Sequence, residues 1–198
     1  LHKIVKTIKP DIILHCAGLI NIEQCEVEVE QAYENNVIAT YNLVTSCPKQ
    51  ANFIYISSDQ VYGRTDNRTE NNRSLKPLNK YGETKYISEL LVVGLCANHA
   101  IIRTNIIGIN PKIARPSFVD WLYDSFSNNK PVTLFNDYYF SPIYCSIFSE
   151  IIKFNYVSKI KIEIIKNIIK GNRTLGLLPT GGGKSLCFHL SASFFQGT

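Results

Sequence analysis

The stretch that most restricts the fold of this chain is Phe53-Ile54-Tyr55-Ile56, followed at once by Ser57-Ser58-Asp59-Gln60. Four apolar residues without polar alternation predict a strand buried on both faces of a parallel sheet. Helices must cover both faces of such a sheet, so strands and helices have to alternate along the chain. The polar residues that follow then stand at the strand's carboxyl end, where open α/β sheets bind their ligands. Tyr81-Gly82-Glu83-Thr84-Lys85 opens a helical pattern over residues 78–97, with Ile87, Leu90, Leu91 and Leu95 as the expected core face. Tyr81 and Lys85 are four positions apart and share one side of that helix. A serine hydroxyl, a phenol and an ammonium gathered at one sheet edge can supply a proton to a carbonyl that receives hydride. The spacing alone is weak, because a chain with 11 tyrosines produces it by chance on helix surfaces.

The remaining pattern repeats the same alternation. Residues 1–9 read as a helix with Ile4, Val5 and Ile8 on one side, broken by Pro10, and residues 12–14 as a second buried strand. His15-Cys16-Ala17-Gly18 ends that strand with small residues that let a ligand approach the backbone. His15 itself reads first as a hydrogen-bonded strand-end histidine. Residues 21–45 hold a long helix, acidic at its start as the helix dipole favours, with Ala32, Val37, Thr40, Tyr41 and Val44 turned inward. A polar loop over 64–76, a strand over 101–104, a helix over 118–126 with Trp121 packed on a core, a short strand over 132–135 and a turn at Phe140-Ser141-Pro142 follow.

Taken together, His15-Cys16-Ala17-Gly18, the Ile56–Gly63 segment, Pro77 to Lys85 and the Arg103–Gly108 segment resemble, in that order, the extended short-chain dehydrogenase/reductase family. The likeness is nearest to its dTDP-4-dehydrorhamnose reductase branch, runs from about residue 3 to 150, and includes a sugar-binding region at Phe140 to Tyr144. It implies an NAD(P)-binding Rossmann-type parallel sheet and a catalytic set of Ser58, Tyr81 and Lys85. His15, Ala17, Gly18, Asn36, Lys85 and Arg103 would lie along NAD(P)H, and Asp59 and Asn105 would meet a nucleotide-sugar substrate. Asn36 has two readings of equal weight, support of the active-site backbone or an ordinary polar helix position. Where dehydratases of the family carry a glutamate for proton exchange this chain has Gln60, whose amide cannot do that work near neutral pH. Epimerases share the tyrosine and lysine, so reduction is favoured over epimerisation only by the branch.

Beyond residue 150 the character changes. Residues 151–198 carry a net charge of +6 and residues 1–150 one of −1. An Ile/Lys-rich helix over 159–170 precedes a strand at Leu175-Gly176-Leu177-Leu178 and then Pro179-Thr180-Gly181-Gly182-Gly183-Lys184-Ser185. Glycine amides that cradle phosphate, a lysine for charge and a serine for Mg²⁺ are the parts of an ATP phosphate loop, with Thr180, Gly181, Gly182, Gly183, Lys184 and Ser185 as its contacts. Residues 160–198 resemble the opening of RecQ-like superfamily 2 DNA helicases. That implies ATP and Mg²⁺, and weak DNA contact through the basic tail. No acidic partner motif follows, so coupled hydrolysis is not expected.

With no methionine and no glycine-rich dinucleotide turn ahead of Leu1, the expected organisation is two partial domains, 1–150 and 151–198, from a truncated or fused gene. The first would be an incomplete Rossmann-type sheet and the second a short helix–strand–phosphate-loop–helix piece. The six cysteines show no metal-ligand spacing and read as reduced thiols of a cytoplasmic protein. No apolar run reaches the length of a membrane span.

Overall fold

The computed structural model describes residues 1–63, 75–110, 116–134 and 141–153. Helix α1 (His2–Ile8) ends where Lys9 takes a left-handed conformation, and Pro10 leads the chain into β1 (Ile12–His15). A helical crossover in several pieces follows: α2 (Ile22–Val27), α3 (Val29–Tyr33), a π-helical stretch (Glu34–Ile38) and α4 (Ala39–Ser46). Strand β2 (Asn52–Ser58) passes into a 3₁₀ turn (Asp59–Tyr62), and α5 (Lys80–Leu95) carries the chain back to β3 (His99–Ile107). Helix α6 (Phe118–Ser127), β4 (Pro142–Tyr144) and α7 (Cys145–Ile152) complete the described elements. The strands lie in the order β1-β2-β3-β4, and every pairing is parallel. Sequential parallel strands joined by helices make this the α/β architecture that the apolar runs predicted, of the Rossmann type that the resemblance implied.

The two-residue period of the strands sorts the core into two layers. Ile13, Phe53 and Tyr55 pack with Val5 of α1, Leu43 and Val44 of α4 and Val92 of α5. Ile12, Ile54 and Ile56 face the other way, onto Phe148 and Ile152 of α7. Each such side chain stabilises the fold by roughly 1.5–3 kcal/mol on burial. Unbroken apolar runs were the right signal because both sides of β2 are covered.

Several helix faces differ from expectation. In α5, Leu90 and Leu95 are 54% and 50% exposed, while Thr84, Lys85, Ser88 and Glu89 are buried beside Val92. A polar face can turn inward when its groups find partners there, and these do. Tyr41 is exposed whereas Thr40, Leu43 and Val44 line the inside of α4, and Ile4 of α1 points out. Trp121 is also partly exposed and lies against Phe118, ring centroids 5.8 Å apart, instead of entering a core. The long helix over 21–45 is interrupted at Glu28 and widened at Glu34–Ile38. Residues 132–134 form no strand, and Pro142, expected in a turn, begins β4.

Of the polar loop over 64–76, residues 64–74 lie outside the described residues, and Leu75 is buried against Val61 and Tyr62. Phe135, Phe140, the helix expected over 159–170, the strand expected over 175–178 and the whole of Thr180 to Ser185 lie outside them too. Among the described residues no helix is long and apolar enough to cross a membrane, and no group of His, Cys, Asp or Glu could hold a metal ion.

Candidate active site

The carboxyl end of β2 delivers Ser58, and the start of α5 delivers Tyr81 and Lys85 to the same place. Two local devices fix that meeting. Asn79 caps α5, its Oδ1 accepting from Gly82 N at 2.7 Å, while its Nδ2 donates to Gln60 Oε1 at 3.0 Å. One side chain therefore ties the helix start to the turn after Ser58. Gly82 lets the two backbones close up, since a Cβ there would stand 2.6 Å from Gln60 O. The sequence reading singled out neither residue for this; the Asn-x-x-Gly spacing before an apolar helix was the available signal.

Ser58 lies close enough to the Tyr81 phenol to draw its pKa down. Ser58 Oγ also donates to Asp59 Oδ1 at 3.3 Å and accepts from Gln60 N at 3.2 Å. The bond to Asp59 is long for its type, so the carboxylate does not lock the hydroxyl away from a ligand. Asn105, at the end of β3, donates from Nδ2 to Asp59 Oδ2 at 3.5 Å, which places both proposed substrate contacts beside Ser58. Lys85 is 5% exposed; its Nζ donates to Ile56 O at 2.6 Å and lies 4.2 Å from the centroid of the Tyr55 ring.

The electrostatics depart from the simplest reading of a lysine beside a phenol. Burial pushes the Tyr81 phenol above its ordinary value, and Lys85 and Ser58 pull it down without overcoming that. Burial also lowers the Lys85 ammonium, opposed by Tyr81, Cys16 and Glu89. Each group thus disfavours its charged form, and the low-dielectric surroundings strengthen any charge they do meet.

Beneath these groups lies a buried polar network. Asn36, 1% exposed on the π-helical stretch, accepts from Leu19 N at 2.6 Å. Its Nδ2 donates to Leu19 O at 3.0 Å and to Thr84 Oγ1 at 2.9 Å. Its carbonyl accepts from Thr40 Oγ1 at 2.5 Å and from Ser88 Oγ at 2.9 Å. Asn36 thus ties the loop after β1 to α5. Asn36→Ala should cost about 3 kcal/mol, because it strands the Leu19 backbone groups without partners. Urea unfolding of parent and variant measures it, and a change under about 1 kcal/mol would show the bonds to be expendable.

His15 closes the network. Thr40 spends its only proton on Asn36 O, so its oxygen accepts from His15 Nε2–H at 2.9 Å. The other ring nitrogen, Nδ1, is buried without a partner. Burial, helped by the Lys85 charge, lowers His15 to about 3, so the ring is neutral. It is the hydrogen-bonded strand-end histidine of the sequence reading and lies under the site. Arg103 likewise turns to protein groups, pairing with Glu89 of α5.

The segment that follows β1 is half-buried. Cys16, Ala17 and Gly18 keep that rim low, and Gly18 has no room for a side chain, because a Cβ there would meet Asn36 Oδ1 at 2.8 Å. A low rim beside a lysine and a phenol is compatible with a nicotinamide nucleotide.

Known proteins resemble this chain in sequence and in fold. The chain is 32% identical over 97 residues to dTDP-4-dehydrorhamnose reductase of Mycolicibacterium smegmatis, a match covering 48% of this chain and 30% of that protein. It spans about a third of the length of the curated relatives it matches. The dTDP-4-dehydrorhamnose reductase structure from Clostridium acetobutylicum superposes with a TM-score of 0.71 at 19% identity, covering 90% of this chain and 69% of that one. The Bacillus anthracis reductase in complex with NADP gives 0.64 at 22% identity, with 97% and 65% covered. The family described as RmlD substrate binding domain matches residues 1–168, running past residue 150 and ending before the Thr180–Ser185 stretch. With that match over most of its length, the chain belongs to the RmlD substrate-binding domain family.

Proposed function

We propose that this chain carries the substrate-facing part of an NAD(P)H-dependent reductase that acts on the keto group of a nucleotide-linked sugar, as in dTDP-4-dehydrorhamnose reduction. The observation that carries it is the gathering of Ser58, at the end of β2, with Tyr81 and the buried Lys85 at the start of α5. When bound, the nicotinamide supplies hydride to the carbonyl carbon. Tyr81 donates its proton to the oxygen as negative charge develops there, and Ser58 holds the same oxygen by a hydrogen bond. Lys85 steadies that charge and would hold a ribose hydroxyl of the dinucleotide. Asp59 and Asn105 stand beside Ser58, where they can take sugar hydroxyls and fix the ring.

Because burial keeps the Tyr81 phenol protonated through neutral pH, it is loaded as an acid for reduction and poorly set to act as a base. The test mixes the full chain with NADPH and a dTDP-linked 4-keto sugar, then follows nicotinamide oxidation and product configuration. One hydroxyl gained per nicotinamide consumed is the expected result. Inverted sugar with no net consumption would make the chain an epimerase instead, and no change in either would end the enzymatic reading. ATP with Mg²⁺ at Thr180 to Ser185, and DNA contact by the basic tail, stand on the motif's sequence alone and add nothing to this reading.

A further inference from the structure

Two different elements engage the Arg103 guanidinium, while its Nη1 is buried without a hydrogen-bond partner. Nε donates to Glu89 Oε1 at 3.0 Å and to Oε2 at 3.2 Å, and Nη2 donates to Oε2 at 2.7 Å. Glu89 is 3% exposed and stands one turn beyond Lys85, so Tyr81, Lys85 and Glu89 form one stripe along α5. The guanidinium carbon also lies 5.0 Å from the centroid of the Tyr62 ring, at the end of the turn that starts from Ser58. A single side chain of β3 thus grips both pieces of backbone that bring the site together. A buried, two-pronged pair of this kind resists displacement strongly, since parting it leaves a carboxylate dry and uncompensated.

We propose that Arg103 is a positioning residue that acts through Glu89 and Tyr62 to hold Tyr81 and Lys85 against Ser58. The proposal rests on the reductase reading for its purpose, but its test needs no turnover. In the full chain labelled with carbon-13 at the tyrosine ζ carbons, the Tyr81 phenol is titrated by NMR, with Tyr81→Phe assigning the signal. Glu89→Gln and Arg103→Gln should each lower its midpoint by about one unit toward the ordinary value near 10, because a released α5 lets water reach the phenol. Arg103→Lys keeps a charge but not the fork, and should recover part of the shift.

An unchanged midpoint in both glutamine variants overturns the proposal. So does a change confined to Arg103→Gln, above all if that variant alone weakens NADPH binding, because Arg103 would then act on the dinucleotide. Should Arg103→Gln fail to fold, Glu89→Gln and Arg103→Lys decide by the same signal. If the shift falls as expected in a chain that reduces no keto-sugar, the clamp stands and only the reductase reading fails.

Discussion

Acidification should unfold this chain through His15. Its folded value of about 3 lies well below the ordinary value of 6.5, so between those pH values the unfolded chain binds a proton that the folded chain refuses. Stability is therefore complete above about pH 6.5 and drains away as pH falls toward 3. Integrated over that window, the loss is roughly 4 to 5 kcal/mol, and by pH 4.5 it has reached about 2 to 3 kcal/mol. Domains of this size are stable by about 5–15 kcal/mol in total, so one imidazole can decide the acid midpoint. The physical origin is specific. Nε2 is committed to Thr40, Nδ1 has no acceptor for a new proton, and the Lys85 charge is near enough to oppose another cation. Urea unfolding at pH 7 and pH 4.5, in the parent and in His15→Gln, reads it directly. If the variant lost as much stability on acidification as the parent, the titration would belong to other groups.

The sequence carried the sheet well and the helix faces badly, and one cause explains both. In β1 and β2 burial is hydrophobic, so unbroken runs such as Phe53-Ile54-Tyr55-Ile56 announce it, and the alternation of Phe53 and Tyr55 against Ile54 and Ile56 follows from strand geometry. In α5 the buried face is polar. Thr84, Ser88 and Glu89 are inside because Asn36 and Arg103 meet them there, and no periodicity in the helix's own residues reveals partners that lie far along the chain. Leu90 and Leu95 misled for the same reason.

The widened turn at Glu34–Ile38 was equally hidden. It presents the Asn36 carbonyl to the Thr40 and Ser88 hydroxyls, a tertiary arrangement that no propensity encodes. That the end of β2 would meet the start of α5 was legible, because strand end and helix start are local features and a helix joining parallel strands brings them together. The direction of the Tyr81 shift was not. The nearby ammonium alone would lower the phenol, and only the folded chain reveals that desolvation outweighs it.

That outcome shapes what removing the phenol should do. Tyr81→Phe deletes one oxygen, leaves the ring to fill its place, and takes away the proton donor beside Ser58. Turnover of a keto-sugar should fall on the order of 10³-fold, the usual worth of a positioned general acid together with a lost hydrogen bond. NADPH affinity should hold, because Lys85 keeps its bond to Ile56 O and the rim at Ala17 and Gly18 is untouched. The pH profile supplies a second check. With its phenol held above the ordinary value near 10, the parent should keep its reductive rate through mildly alkaline conditions and lose it only where the phenol ionises. Lys85→Met removes the cation that opposes the burial shift, so the alkaline limb should move to still higher pH while the maximal rate drops. A Tyr81→Phe enzyme that kept the parent's rate, or a Lys85→Met limb that moved toward neutrality, would mean that another group delivers the proton.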